Sequence, residues 1–474
     1  MKNTALLIGL MIVLFTAFSF AQEADQKIEG SWLGTLNVQG TDLRLVFNIT
    51  RSEDGTLTAT MDSPDQGAMG HPMDDVRFED GQWILELKRA GITYTAELSE
   101  DGQTLAGTFK QGGFTAPFDA KRSEPVQKTV RPQDPKKPYP YIEEDVTYTN
   151  DKDGITLAGT LTYPKEGGPF PTVLLITGSG AQNRDEELMG HRPFLVLSDY
   201  LTRRGIAVLR VDDRGVGGST GNTVDSTSVD FAGDVLAGVE FLKTRKEIDS
   251  KKIGLIGHSE GGIIAPIVAA KSKDVSFIVL MAGTGLTGEE ILYLQSALLA
   301  RAGGASEEDI EKTLAHQKRI YTVMKKHDNA ADIKAELQAM FDEDVSRMSE
   351  EDRNAMGDNP QEVFETEINQ ILSTWFRFFL TYDPKQVLRK VTCPVLAING
   401  GKDLQVPPKE NLAAIGEALK EAGNTDYTLK ELPGLNHIFQ KAGTGAVTEY
   451  GQIEETINPE ALKTIGDWIL ARVK

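Results

Sequence analysis

Across 474 residues the chain carries a single cysteine, Cys393. One thiol forms no internal disulfide, so a disulfide-stapled architecture is excluded. Cys393 opens an apolar run, Pro394 to Asn399, and reads as inert packing. Histidine is scarce at six residues, which leaves few candidates for acid–base work. Positive charge is short as well: 50 Lys and Arg stand against 70 Asp and Glu, a formal charge of −20. That balance argues against nucleic acid or anionic lipid as a partner and says nothing about a substrate. A long apolar run stands at the start, where Met1-Lys2-Asn3 precedes Thr4 to Phe15 and Ser19-Phe20-Ala21 precedes Gln22. The pattern predicts a signal peptide over 1–21, cleaved after Ala21, and so an exported protein, periplasmic or secreted, with no stable membrane anchor. A retained anchor is the competing reading, but nothing polar and basic follows as a stop. No cysteine lies near the cleavage point, so lipidation there is excluded.

The length exceeds one typical domain, and 40% hydrophobic content suffices for sizeable cores. From Gly30 to about Lys121 apolar and polar residues alternate, as in Asp42-Leu43-Arg44-Leu45-Val46-Phe47-Asn48-Ile49 and Gln82-Trp83-Ile84-Leu85-Glu86-Leu87-Lys88. Period two means strands. Three turns carry one tripeptide, Glu53-Asp54-Gly55, Glu79-Asp80-Gly81 and Glu100-Asp101-Gly102, whose glycine can take the positive φ of a tight hairpin. The expected result over 25–122 is an antiparallel meander of about eight strands, closed or nearly closed into a small barrel. Its opening Gly30-Ser31-Trp32 resembles the Gly-x-Trp start of lipocalin-like barrels. Met61, Met69, His71 and Met73 cluster within it, a pattern open to a soft-metal reading. One imidazole at irregular spacing favours a flexible loop instead, and no metal is expected.

Proline, lysine and glutamine then mark a linker over 123–141. Beyond it, 142–474 alternates strands with helices: a leading hairpin at Asp145–Thr149 and Ile155–Tyr163, then Thr172–Thr177, a helix from Pro193 to Arg204, Ile206–Val211, a helix over Ser228–Lys243, Lys252–Gly257, a helix from Gly261, and Ser276–Met281. Near-continuous apolar strands with helical crossovers predict a doubly wound, mostly parallel α/β sheet, with ligands at the carboxyl ends of its strands. A charged helical stretch at about 288–384 interrupts the alternation. Ser306-Glu307-Glu308-Asp309 resembles a capping box and Asn359-Pro360 an N-cap followed by proline. It ends in the aromatic run Trp375 to Phe379 and rejoins the sheet beside the motif described next, so it is expected to be a lid. The sheet resumes at Pro394–Asn399 and Tyr427–Leu432, and a helix over Pro459–Val473 follows.

Gly257-His258-Ser259-Glu260-Gly261 is the Gly-x-Ser-x-Gly pattern at a strand-to-helix turn. So tight a turn strains the serine backbone, and a Cβ at either glycine would collide with the neighbouring turn. Ser259 is therefore the candidate nucleophile, with the start of the next helix aimed at any developing oxyanion. A serine hydroxyl needs a base, and the base needs an orienting acid. Asp403 and His437 each follow a sheet strand on the carboxyl edge and complete the order Ser, Asp, His. Asp383 is a substitute acid whose simpler role is a helix-end turn. Among the other histidines, His71 falls in the β module and His316 and His327 in the lid. His258 is expected to point away from the site, and His191 is the rival base and a candidate substrate-lining residue. Expected oxyanion donors are the backbone N–H groups of Glu260 and Ser179, the latter in the loop Thr177 to Asp185. Gly180 and Trp375 are the further lining candidates. The Gly-Ser-Gly of that loop lacks Gly-x-Gly-x-x-Gly spacing and a P-loop lysine, which speaks against nucleotide binding.

These segments resemble exported bacterial α/β-hydrolase esterases, a group linked to serine aminopeptidase-like hydrolases. Gly178-Ser179-Gly180-Ala181-Gln182-Asn183-Arg184-Asp185 is similar to the family's Gly-Ser-Gly-Pro-x-x-Arg-Asp loop, with Ala181 in place of proline. Asp212-Asp213-Arg214-Gly215-Val216-Gly217-Gly218-Ser219 is similar to its Asp-x-Arg-Gly-x-Gly-x-Ser segment. The resemblance covers about Asp145 to Lys474 and implies an α/β-hydrolase fold cleaving a small-molecule carboxylic ester through an acyl-enzyme, without cofactor. Arg184, Asp185 and Arg214 are expected to form structural ion pairs. A peptidase or amidase is the enzymatic alternative, and a carbohydrate- or lipid-binding protein with a vestigial hydrolase domain the non-enzymatic one. Oligomeric state is not legible in the sequence.

Overall fold

A computed structural model describes residues 28–473 except 39–40, 53, 67, 113, 127–130, 351–352, 354–359. The expected signal segment and the N-cap Asn359 lie outside the described residues. The chain divides into two compact units, Met1–Thr129 and Val130–Lys474.

The first unit is one antiparallel sheet built from β1 (Gly30–Val38), β2 (Thr41–Arg51), β3 (Leu57–Ser63), β4 (Ala68–Pro72), β5 (Asp75–Glu79), β6 (Gln82–Leu87), β7 (Ile92–Leu98), β8 (Thr104–Gln111) and β9 (Phe114–Ser123). Their order is β4-β3-β2-β1-β9-β8-β7-β6-β5, so every paired strand is a neighbour in sequence except where β1 meets β9. The meander thus has nine strands rather than about eight, and its hydrogen-bonded order stays open between β4 and β5. The gap is narrow: Met73 N donates to Ala59 O of β3 at 2.9 Å, and Asp74 N donates to Glu86 O of β6 at 2.7 Å. Adjacent residues therefore serve opposite edges of a curled half-barrel. Alternate side chains, among them Trp32, Phe47, Trp83, Tyr94 and Phe118, fill its interior. Trp32 is fully buried, with Nε1 donating to Ile28 O at 2.8 Å and the Arg122 guanidinium 4.3 Å above its ring. The methionine cluster read as a flexible loop is instead an edge hairpin. Met61 lies in β3 opposite His71 of β4, because backbone pairing at the sheet edge overrides the glycine-rich punctuation.

In the second unit part of the expected linker is built into the fold. The Arg131 guanidinium donates to the carbonyls of Met189, Gly190, Gly451 and Ile453. The sheet follows as β10 (Tyr141–Asn150), β11 (Ile155–Pro164), β12 (Phe170–Ile176), β13 (Ala207–Val211), β14 (Ile248–His258), β15 (Val275–Met281), β16 (Val395–Gly400) and β17 (Tyr427–Leu432). Its order is β10-β11-β13-β12-β14-β15-β16-β17. β10 and β11 form an antiparallel hairpin, β11 joins β13 antiparallel, and β13 through β17 are parallel. Order reverses at β12, whose neighbours β13 and β14 lie on opposite sides, and this opens a crevice at the carboxyl ends of β12 and β14.

Helices α1 (Pro193–Thr202), α2 (Ser228–Lys243) and α3 (Gly261–Lys271) follow β12, β13 and β14. The lid comprises α4 (Gly288–Ala302), α5 (Glu307–Lys326), α6 (Ala330–Arg347), α7 (Pro360–Ile371) and α8 (Thr374–Thr381); then come α9 (Lys385–Leu388), α10 (Pro408–Glu421) and α11 (Pro459–Val473). Strand residues alternate between two cores. In β12, Leu174 and Ile176 join α2, α3 and α10 on one face. Val173 and Leu175 join α1 and α11 on the other. Burial on both faces is what makes the strands read as unbroken apolar runs. Lid helices start with side-chain caps: Thr287 and Glu290 form a capping box for α4, and Ser306 Oγ accepts from Asp309 N at 3.1 Å for α5. Among the described residues no helix is long and apolar enough to cross a membrane.

Candidate active site

β14 ends at His258, and the chain turns through Ser259 and Glu260 into α3. Ser259 has φ +52°, a left-handed conformation that costs a residue with a Cβ about 1–3 kcal/mol. The surroundings enforce it. A Cβ on Gly257 would sit 1.9 Å from Gly261 O, and one on Gly261 would sit 2.3 Å from Ile176 O. Only glycine allows the helix start to approach the sheet so closely. Ser259 N donates to Met281 O at 2.8 Å, and Gly262 N donates to Ser259 O at 2.9 Å, which fixes the turn from both sides.

Ser259 and His437 line one cavity of about 350 Å³. The His437 Nδ1 lies 2.8 Å from Asp403 Oδ2. Asp403 follows β16 directly and is almost fully buried. Its other oxygen accepts from Gln405 N at 2.9 Å and Val406 N at 2.8 Å, so the carboxylate cannot rotate away. His437 follows β17 through a loop pressed against the end of β16, where a Cβ on Gly400 would sit 2.3 Å from Leu435 O. Asp383 is elsewhere: its Oδ1 accepts from Lys385 N at 3.0 Å in the turn that leads into α9.

The loop after β12 brings Ser179 to the cavity wall beside Glu260. Among the described residues neither backbone N–H of these two has a protein acceptor. The loop is tied to the end of β13. Thr177 Oγ1 donates to Asp213 Oδ1 at 2.7 Å, Gln182 N donates to Asp213 Oδ2 at 2.9 Å, and Arg184 Nη2 pairs with Asp212 at 2.7 Å. Burial pushes the Asp213 carboxyl up to about 7. Arg210 pairs with Asp185, and Arg214 with Asp234 and Asp153. These ions brace loops; they do not line the cavity.

Apolar side chains form much of the remaining wall, among them Leu188, Pro193, Ile263, Ile291, Phe379 and Ile438. Trp375 of α8 belongs to it, stacked on Phe379 with ring centroids 5.1 Å apart and planes within 6°. Its Nε1 donates to Glu260 Oε1 at 2.7 Å, and Ser228 Oγ donates to the same oxygen at 2.6 Å. Burial raises the Glu260 pKa against the opposing pull of those donors. Lid and nucleophile turn therefore meet in one hydrogen bond.

The sequence profile of the X-Pro dipeptidyl-peptidase (S15 family) matches residues 153–433. The chain belongs to this family. Esterase EstD of Thermotoga maritima is 24% identical over 390 residues, spanning 81% of this chain and 78% of that one. Esterase FrsA of Yersinia enterocolitica is 28% identical over 157 residues, 31% of this chain and 36% of its own. Among solved structures, the alpha/beta hydrolase GrgF from Penicillium sp. sh18 superposes with TM-score 0.43 and 18% identity, over 70% of this chain and 99% of that one. This S15-family protein is a hydrolase of the α/β-hydrolase type.

Three sequence expectations need correction in this S15-family chain. His191 does not line the cavity. It is fully buried between Thr456 Oγ1, at 3.0 Å from Nδ1, and Tyr450 O, at 2.9 Å from Nε2, and burial drives its pKa down to about 4. The partners that hold it come from the far end of the chain. Gly180, at φ +100°, turns away to a smaller adjoining cavity of about 50 Å³ that it shares with Asp213 and Asp234. His258 does not point away: it lines the main cavity, with its ring 4.9 Å from that of His437. Sequence reasoning also missed Glu186, which accepts from His258 Nδ1 at 2.9 Å and from Gly178 N at 2.7 Å. Its place right after the Arg184-Asp185 pair was the available signal. Among the described residues no group of three or more His, Cys, Asp or Glu is arranged to hold a metal ion.

Proposed function

We propose that this protein is a serine carboxylesterase acting through an acyl-enzyme. Ser259 Oγ attacks the ester carbonyl, and His437 takes the hydroxyl proton and returns it to the leaving alcohol. Asp403 holds the imidazole tautomer, and the N–H groups of Ser179 and Glu260 receive the oxyanion. The carrying observation is the strained Ser259 at φ +52° on the wall it shares with His437, itself 2.8 Å from a locked Asp403. No hydrogen bond joins Ser259 Oγ to His437 here, as is common before substrate closes such a contact.

The wall supports an ester with neutral groups. Its charged side chains other than histidine are Glu186 and Glu260, each already engaged by protein donors, and no Lys or Arg lines it. A formal charge of −20 argues against nucleic acid as a partner. The S15 match favours a second reading, a serine peptidase of the X-Pro dipeptidyl type. Comparing p-nitrophenyl esters of graded chain length with X-Pro and aminoacyl p-nitroanilides decides between them, with ester turnover expected to dominate. Ser259→Ala should abolish both turnover and labelling by a fluorophosphonate; labelling that persists at another serine refutes the assignment. Export after Ala21 belongs to the same proposal and is read from the N-terminal sequence of the mature protein.

A further inference from the structure

His258 sits where an α/β turn of this kind asks for no particular side chain, yet it is buried and both ring nitrogens are engaged. Nδ1 lies 2.9 Å from Glu186 Oε1, and Nε2 lies 3.1 Å from the backbone carbonyl of His437. A carbonyl oxygen only accepts, so Nε2 carries hydrogen. Glu186 Oε1 also accepts from Gly178 N at 2.7 Å, as a carboxylate oxygen does, so Nδ1 carries hydrogen as well. Two N–H groups make an imidazolium. The titratable groups that face it are Glu186, His437 and, beyond His437, Asp403. Burial works hardest against its charge, but the Glu186 carboxylate, the His437 carbonyl and the Asp403 charge together raise the pKa.

The pair joins the parts that must be in register for the reaction. Gly178 begins the loop that offers the Ser179 amide, and a Cβ on it would lie 3.3 Å from Ser259 Cβ. His437 carries the candidate base. His258 itself adjoins the nucleophile. Glu186 holds φ +51° to reach this position, an uncommon conformation for glutamate. An ion pair in a dry interior bears a steep desolvation penalty, and an apolar pair would pack the same space more stably. We propose that His258, held as an imidazolium by Glu186, is a positioning residue that clamps the oxyanion loop to the His437 loop around Ser259. The proposal rests on the esterase reading above and names two residues that reading does not use.

The test uses the full chain labelled with ¹⁵N-histidine. At pH 8.5 one histidine should show both ring nitrogens protonated. That signal should vanish in His258→Gln, which assigns it, and convert to a neutral ring in Glu186→Gln, which keeps side-chain shape. In Glu186→Gln, kcat for p-nitrophenyl acetate and the rate of fluorophosphonate labelling at Ser259 should fall together by about 10- to 100-fold, with KM within about threefold. Misplaced catalytic groups slow the chemistry without weakening binding, and a purely structural role would move Tm instead. A neutral His258 ring in the folded wild type at pH 8.5 overturns the proposal, and this measurement needs no variant to fold. So does Glu186→Gln turnover within twofold of wild type. If wild type neither turns over esters nor labels at Ser259, the esterase reading fails first, which is a separate result.

Discussion

Trp375 offers the sharpest test of the lid, because one side chain has two separable contacts. Its ring forms cavity wall, stacked on Phe379, and its Nε1 holds Glu260. Each methylene of a substrate chain packed on that ring contributes ~0.8 kcal/mol when removed from water, about fourfold in kcat/KM. A chain laying three methylenes on the indole loses ~2.4 kcal/mol when the ring is deleted, roughly 60-fold. An acetate ester has no methylene to lose. Trp375→Ala should therefore lower kcat/KM for p-nitrophenyl octanoate by roughly 60-fold and for the acetate by no more than about threefold, with KM carrying the difference. Trp375→Phe isolates the hydrogen bond: chain-length preference should survive, and any loss, on the order of 1 kcal/mol, should be uniform because it acts through Glu260 alone. A uniform loss across chain lengths in Trp375→Ala, with a lowered Tm, would show that Trp375 is ordinary core and that the lid does not select.

Asp403→Asn places an amide where Oδ2 now accepts from the His437 Nδ1–H. The imidazole must then present its lone pair there and loses the free Nε2 that would take the serine proton; kcat should fall by roughly a thousandfold or more, while Asp383→Asn leaves it unchanged. The reverse pattern would mean that the acid is misassigned. Gly257→Ala forces a Cβ into Gly261 O and should cost both activity and several degrees of Tm; a soluble, fully active variant would contradict the turn geometry. Asp213 titrates at about 7 in the fold, above its unfolded value near 4, so the folded state holds the proton more tightly. Its contribution to stability is complete below about pH 4 and is lost as pH rises through 7; Asp213→Asn should flatten that part of the Tm–pH curve, and an unchanged slope would refute the assignment.

The second unit was legible because its strands are buried on both faces and its helices carry their own start signals. Val173 and Leu174 look alike in sequence although they serve opposite cores, and that sameness is the parallel-sheet signature. Ser259, Asp403 and His437 could be picked because each follows a strand, and a parallel sheet collects such positions at one edge. What could not be read was where side chains turn and what distant segments cover them. His191 resembles an exposed loop histidine until Thr456, 265 residues away, closes over it. His258 shares its place with the nucleophile, but its direction is decided by Glu186 and the His437 carbonyl, neither of which is marked by spacing. In the β unit, the alternation identifies strands and leaves open which edges pair, so the number of strands and the opening between β4 and β5 emerged only in three dimensions.

Four acidic side chains surround the turn that bears Ser259, an arrangement unfavourable to an oxyanion unless their charge is managed. Asp403 faces His437, which in the proposed reaction becomes imidazolium as the proton leaves the serine, so that charge is useful where it lies. Glu186 is matched by His258. Among the described residues neither Glu260 nor Asp213 pairs with a Lys or Arg, and burial raises both pKa values toward the neutral acid. Two carboxyls are thus balanced by imidazoles and two shifted toward protonation. In the proposed reaction, negative charge arriving at the Ser179 and Glu260 amides would then meet donors rather than a like charge.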